Sequence, residues 1–348
     1  MKSLALAIVV LAGTATASMQ SGMVKPAERQ EAIRHAHVWA PTDVPTMDLK
    51  AGPAGPEAFA PGQIVECDYV EKTLNGKSPK FTCAINPKDE VKVKYGAANG
   101  EVFAEVAATR LLWALGFGAD AMYPVRVNCH GCPPNFAGKP TKGKPPVLVD
   151  PATIERKMRG HAIETKEDSG WDWTELDLID ESAGGAPRAH RDALRLLAAM
   201  LQHTDTKPAQ QRIICPKGDG DQAAAGTCAS PLMLVNDLGL TFGHANAFNA
   251  NNPGSANFEE WSHTKVWAES RGCAAELKKS VTGTLDHPVI SEAGRKFLAD
   301  LLAQLSDQQL HDLFEVARFP ARSNHSIDEW VEAFKHKRDE IATRTCPA

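Results

Sequence analysis

Beyond its first residues the sequence has no apolar run long enough to cross a bilayer, so the body of the chain is not expected to span a membrane. It has no excess of basic residues either: the formal net charge is −5 and Lys and Arg form no polybasic run. Nucleic-acid binding rests on clustered cations that neutralise phosphates, so no nucleic-acid partner is expected. No internal repeat is visible, and no odd cysteine is left over among the eight.

What is present begins with a leader. Lys2 supplies a positive start, Leu4 to Leu11 form a short apolar run, and Ala15-Thr16-Ala17 has the small-x-small pattern of a cleavage site. That combination predicts a cleaved signal peptide over residues 1–17 and a secreted or periplasmic mature chain. An even cysteine count in an exported chain reads first as disulfides. Connectivity does not follow from sequence, but neighbours along the chain suggest Cys67–Cys83, Cys129–Cys132, Cys215–Cys228 and Cys273–Cys346. A hydrophobic content of 43% is ample for a core.

Residues 18–61 carry six prolines and little apolar periodicity, which predicts a surface-hugging or disordered extension. From Gln63 the texture changes. Ile64 to Val70 and Phe81 to Ile85 read as strands around the turn Asn75-Gly76-Lys77-Ser78-Pro79, and Val91-Lys92-Val93-Lys94-Tyr95 alternates as a third strand. A helix is predicted from about Glu101 to Leu115, closed by Gly116, followed by short strands at Tyr123 to Val127 and Val147 to Val149. This order describes a small antiparallel sheet with one helix, over residues 62–150. Residues 151–348 are mostly helical, with helices near 193–202, 293–305, 307–316 and 327–341 and strand-like pieces at Ile213-Ile214 and Leu232 to Val235. A small β-rich half and a larger α-rich half make a bilobal α+β chain, with a ligand site expected between the halves.

Four features fall in order along this frame. Lys92 and Lys94 lie on one strand, and Glu105 follows on the helix. After the apolar helix comes His203-Thr204-Asp205-Thr206-Lys207-Pro208-Ala209-Gln210, and then Leu232-Met233-Leu234-Val235 leads into Asn236-Asp237-Leu238-Gly239. The loop from His203 resembles the H-x-D-x-K-P-x-N catalytic loop of protein kinases, and Asp237-Leu238-Gly239 is similar to their D-F-G turn. The likeness is strongest with atypical kinases of the secretory pathway and the bacterial spore-coat kinases, where a helix glutamate also precedes a Leu-Gly step, as Glu105 precedes Leu115-Gly116.

The resemblance implies a protein-kinase-like fold and an ATP-dependent phosphotransferase acting with Mg²⁺ or Mn²⁺ on an exported acceptor whose identity it leaves open. It implies Lys94, or less readily Lys92, on the nucleotide phosphates with Glu105 holding the lysine, and Asp237 and Gln210 as oxygen ligands of the metal. Asp205 becomes the acceptor's base, with Lys207 near the transferring phosphate and His203 in the same loop. Lys77 and Ser78 stand where the family has its phosphate-covering loop. The sequence departs from the family there, because no G-x-G-x-x-G occurs; Gln also replaces Asn at 210, and no A-P-E motif follows.

Two other readings compete. Cys129-His130-Gly131-Cys132-Pro133 has the spacing of a thiol oxidoreductase, but Pro133, Pro134 and Gly138 break the helix such a motif should open, favouring a structural disulfide. A secreted pseudokinase would keep the fold and act as a binding module. Retention of Asp205, Lys207 and Asp237 argues against it.

Overall fold

The computed structural model describes residues 23–216, 228–245, 254–268 and 272–347, so the predicted leader lies outside the described residues. Among these the chain is α+β. Five strands, β1 (Ile64–Val70), β2 (Lys80–Asn86), β3 (Asp89–Tyr95), β4 (Ala121–His130) and β5 (Val147–Arg156), close in the order β1-β2-β3-β5-β4.

The closure corrects the expected antiparallel sheet. β1 pairs with β4 in parallel, Ile64 opposite Arg126 through Asp68 opposite His130. The physical reason lies in β4 and β5, which are longer than their sequences suggested. Their register slips where Asp150 and Pro151 lie between Ala152 opposite Val125 and Val149 opposite Val127. Proline has no N–H to give a ladder, and an unpaired extra residue bends a strand. The bent pair carries the far end of β4 round to β1, and the sheet loses its free edge. Val65, Cys67, Phe81, Cys83, Val93, Val125, Val127 and Ile154 fill the interior.

The helix α2 (Glu101–Ala114) packs outside the barrel, and every residue of it except Trp113 is buried. The helix is buried all round although it carries Glu101, Glu105 and Arg110, and its apolar residues join the core of the helical part rather than that of the barrel. Gly116 ends it at φ 85°, where a Cβ would lie 2.1 Å from the Ala40 carbonyl oxygen. The helical part contains α3 (Arg188–Met200), α4 (Phe258–His263), α5 (Glu292–Leu302), α6 (Asp307–Val316), α7 (Phe319–Arg322) and α8 (Ile327–Thr343). A further sheet, β6 (Gly160–Ala162), β7 (Gln211–Pro216) and β8 (Leu232–Val235), is antiparallel in that order.

The proline-rich stretch behaves differently from a peripheral tail. It holds a helix, α1 (Pro26–Arg34), and buries Ile33, Val38, Val44 and Leu49 in the main core at 0–1% exposure. These apolar residues are inserted singly, which is why no period shows in the sequence. The carbonyls the prolines cannot help to pair are met by side chains. Arg110 donates to Leu49 O and Lys50 O at 2.7 Å each, and Gln309 Nε2 donates to Val44 O and Met47 O at 2.8 and 2.9 Å. Arg29 fastens α1 through Glu175 at 2.7 Å.

All eight cysteines are paired, as Cys67–Cys83, Cys129–Cys132, Cys215–Cys228 and Cys273–Cys346. These four disulfides, and the lack of any helix long and apolar enough to cross a membrane among the described residues, are compatible with an extracellular or periplasmic protein.

Candidate functional site

Strand alternation sends Lys92 and Lys94 to the outer face of the barrel, against α2, while Val91 and Val93 fill its interior. The two lysines then part company. Lys92 forms a close ion pair with Glu155 of β5. Lys94 is fully buried, and its Nζ reaches Glu105 Oε2 at 2.7 Å, Glu101 Oε2 at 2.8 Å and Asp237 Oδ1 at 3.3 Å. Three separate segments meet at one ammonium: β3, α2, and the loop after β8.

Glu101 is the member of this cluster that the sequence motifs did not single out. Its signal was the i,i+4 spacing to Glu105, which puts both carboxylates on one helix face. Ser78 Oγ donates to Glu101 Oε2 at 3.0 Å, so the turn after β1 touches the cluster through Ser78, while Lys77 is exposed. Lys80, opposite Lys94 across β2 and β3, is half-buried; burial, with repulsion from Lys94 added, lowers its pKa.

The loop bearing Asp205 is tied to the turn bearing Asp237. Gln202 (φ 54°) turns the chain out of α3, and Thr204 N donates to Leu240 O at 3.1 Å. Asp205 accepts two hydrogen bonds from Lys207 Nζ at 2.9 and 2.7 Å and one from Gln210 Nε2 at 2.6 Å. The Gln210 carbonyl accepts from the N–H groups of Asn236 and Asp237 at 2.9 and 3.3 Å. Main chain thus locks the two segments together. The Gln210 side chain meets Asp205, and the carboxylates beside Asp237 are Glu101 and Glu105.

Electrostatics sort these groups. Burial works against charge on Lys94, yet Asp237, Glu101 and Glu105 hold it protonated well above the ordinary lysine range. Burial pushes Glu105 up to about 8 despite Lys94, with Asp237 and Glu101 adding repulsion. Asp237, with 23% of its side chain exposed, goes the other way: Lys94 and Lys92 overcome desolvation and hold it well below the carboxylate range. His203 is fully buried with both ring nitrogens unpartnered among the described residues, and burial lowers it to about 4.

The oxygens of Glu101, Glu105 and Asp237 lie within 4.8 Å of one another, and Glu105 Oε1 is buried without a hydrogen-bond partner. Carboxylates are the donor chemistry of a hard divalent cation such as Mg²⁺ or Mn²⁺, and here the Lys94 ammonium lies against all three, with Asp237 the most exposed of them. The C-x-x-C pair is a buried disulfide followed only by the short turn Pro134–Phe136, with no helix to lower a thiol pKa. Trp171 and Trp173 are core residues, and Trp171 Nε1 donates to Arg212 O and Leu234 O at 3.1 Å.

No family model matches this chain, and no curated protein matches it in sequence. Among solved structures it is similar to the crystal structure of a Helicobacter pylori proinflammatory kinase, CtkA, with a TM-score of 0.43 and 11% identity over 82% of this chain and 95% of that one.

Proposed function

We propose that the chain is a bilobal, kinase-like phosphotransferase that uses ATP with Mg²⁺ or Mn²⁺ to modify an exported acceptor. The observation that carries this reading is the meeting of Lys94, Glu105 and Asp237 at one buried ammonium, with Asp205 held one loop away by the Gln210 carbonyl. Phosphoryl transfer asks a protein mainly for alignment and for charge neutralisation, and this arrangement offers both.

In this reading Lys94 neutralises nucleotide phosphates, and Glu105 fixes its ammonium in place. Asp237, the most exposed of the three carboxylates around Lys94, would hold the divalent ion, which when bound supplies Lewis-acid neutralisation of phosphate charge. Gln210 orients Asp205 through its Nε2–H. Asp205 takes the acceptor hydroxyl's proton once Lys207 swings from its carboxylate toward phosphate. His203 is a positioning residue, packed beneath the loop.

The leader expected over residues 1–17 and the four disulfides support an exported location for the acceptor as well as for the enzyme. The pseudokinase reading draws support from Asp205, whose carboxylate is fully engaged by Lys207 and Gln210.

Calorimetric titration with Mn²⁺–ATP tests the proposal, beside phosphate release and acceptor labelling. Wild type should bind, and Asp237→Asn and Lys94→Met should lose binding at least about tenfold. Absence of nucleotide binding by folded wild type overturns the reading. Binding without turnover across a broad acceptor panel replaces the enzyme by the pseudokinase.

A further inference from the structure

A cavity of about 370 Å³ lies away from the Lys94 cluster, and none of Lys94, Glu105, Asp205 or Asp237 lines it. Its walls include Trp113 from the end of α2, Phe117 from the segment leading into β4, Ala121 and Tyr123 of β4, and Met158 from the linker after β5. Residues 53–58 of the proline-rich stretch form its outer side, anchored where Tyr123 donates its hydroxyl hydrogen to Pro53 O at 2.8 Å. The volume is in the range of ordinary small-molecule sites, and the walls are largely apolar.

One group in this wall is out of keeping with the rest. Asp120 is 1% exposed, and its two oxygens are treated very differently. Oδ1 accepts from Met158 N at 2.8 Å and pairs closely with Arg212. Oδ2 is buried with no hydrogen-bond partner among the described residues. A buried acceptor without a donor is costly, and an asparagine amide or an apolar side chain would avoid leaving a bare carboxylate oxygen there. The arginines at the rim do not serve it: Arg156 is held by Asp89 and Arg159 by Glu57. Burial, against the pull of Arg212, pushes Asp120 up to about 6, as expected of a carboxylate short of donors.

We propose that this cavity is a binding site for a small flat apolar molecule bearing one N–H or O–H group, which donates to Asp120 Oδ2. The aromatic walls take the flat body, and the free oxygen selects for the donor. Selection of this kind is strong, since a site built to pair a donor rejects an isostere that lacks it. The site is separate from the nucleotide reading and does not depend on it.

Indole and benzofuran make the test, because they share shape and differ in a ring N–H against a ring oxygen. Titrated into the full chain and followed by protein NMR shifts, indole should bind at least about tenfold more tightly than benzofuran. Ala121→Phe fills the cavity and should abolish indole binding with circular dichroism and melting temperature unchanged. Asp120→Asn keeps an acceptor for Met158 N and turns an N–H toward the ligand, so the preference for indole should disappear or invert. If Asp120→Asn does not fold, the indole–benzofuran ratio on wild type decides the donor and Ala121→Phe decides the location. Equal binding of the two probes, binding that survives Ala121→Phe, or no binding of either at millimolar concentration overturns the proposal.

Discussion

Lys94 and Glu105 face each other at 2.7 Å with neither side chain exposed to solvent, and Lys94 is also held by Glu101 and Asp237. The lysine is therefore the shared counter-charge of a carboxylate cluster, and its partners are not equivalent. Glu105, pushed up to about 8, can take a proton when its partner is lost, whereas Asp237 is held ionised by the lysines.

Lys94→Met should consequently destabilise the fold by about 3–5 kcal/mol at pH 8, the usual cost of removing one partner from a buried pair. The loss should shrink as the pH falls and the abandoned carboxylates protonate. Glu105→Gln should cost less than Lys94→Met at every pH. Urea denaturation of both variants at pH 5.5 and 8 measures this, and a larger loss for Glu105→Gln would contradict the assignment of charge within the cluster.

Under the proposed function, Asp205→Asn preserves the shape of the loop and removes the base. Nucleotide affinity should stay near that of wild type while turnover falls by about 10²–10⁴-fold. The comparison is made on whichever acceptor the wild type labels. Loss of nucleotide binding in this variant would mean that Asp205 serves the nucleotide and not the acceptor.

His203 gives a pH-dependent prediction with a definite sign. Its folded value of about 4 lies below the ordinary 6.5, so between those values the unfolded chain binds the extra proton. Stability should then rise with pH across that window and be lost as pH falls through it, by on the order of 3 kcal/mol in all. Since both ring nitrogens lack partners, His203→Phe should fold well and lose this part of the acid sensitivity. Thermal melts from pH 4 to 7 would show a flatter profile for the variant; parallel profiles would place the titrating group elsewhere.

The disulfides should differ in weight. Cys273–Cys346 closes a separation of 73 residues and Cys129–Cys132 one of 3. On the chain-entropy account their removal by paired Cys→Ser changes should cost about 4 and about 2 kcal/mol respectively. Chemical denaturation of the two double variants orders them, and the reverse order would show that native-state contacts outweigh loop closure.

Much of this was written locally. The alternation of Val91 to Tyr95, the polar loop after the apolar α3 and the run Leu232–Val235 before Asp237 are short-range patterns, and the elements formed there, α3 as Arg188–Met200 where 193–202 was expected. Cysteine neighbours along the chain are also the bonded pairs. What depended on tertiary structure was everything set by residues far apart. Alternation placed Lys92 and Lys94 on one face, and only the approach of Glu155 to one and of α2 to the other separated them. Glu101 has the local pattern of helix surface, and it joins the site because the Asp237 turn packs against it, where Gly239 leaves room for its stem. The parallel β1–β4 pairing needed the bend at Asp150-Pro151, and the proline-rich stretch entered the core because Arg110 and Gln309 lay ready for its carbonyls. Periodicity reports which face a residue takes on its own element; it carries no information about which distant element will cover that face, and that decided the site.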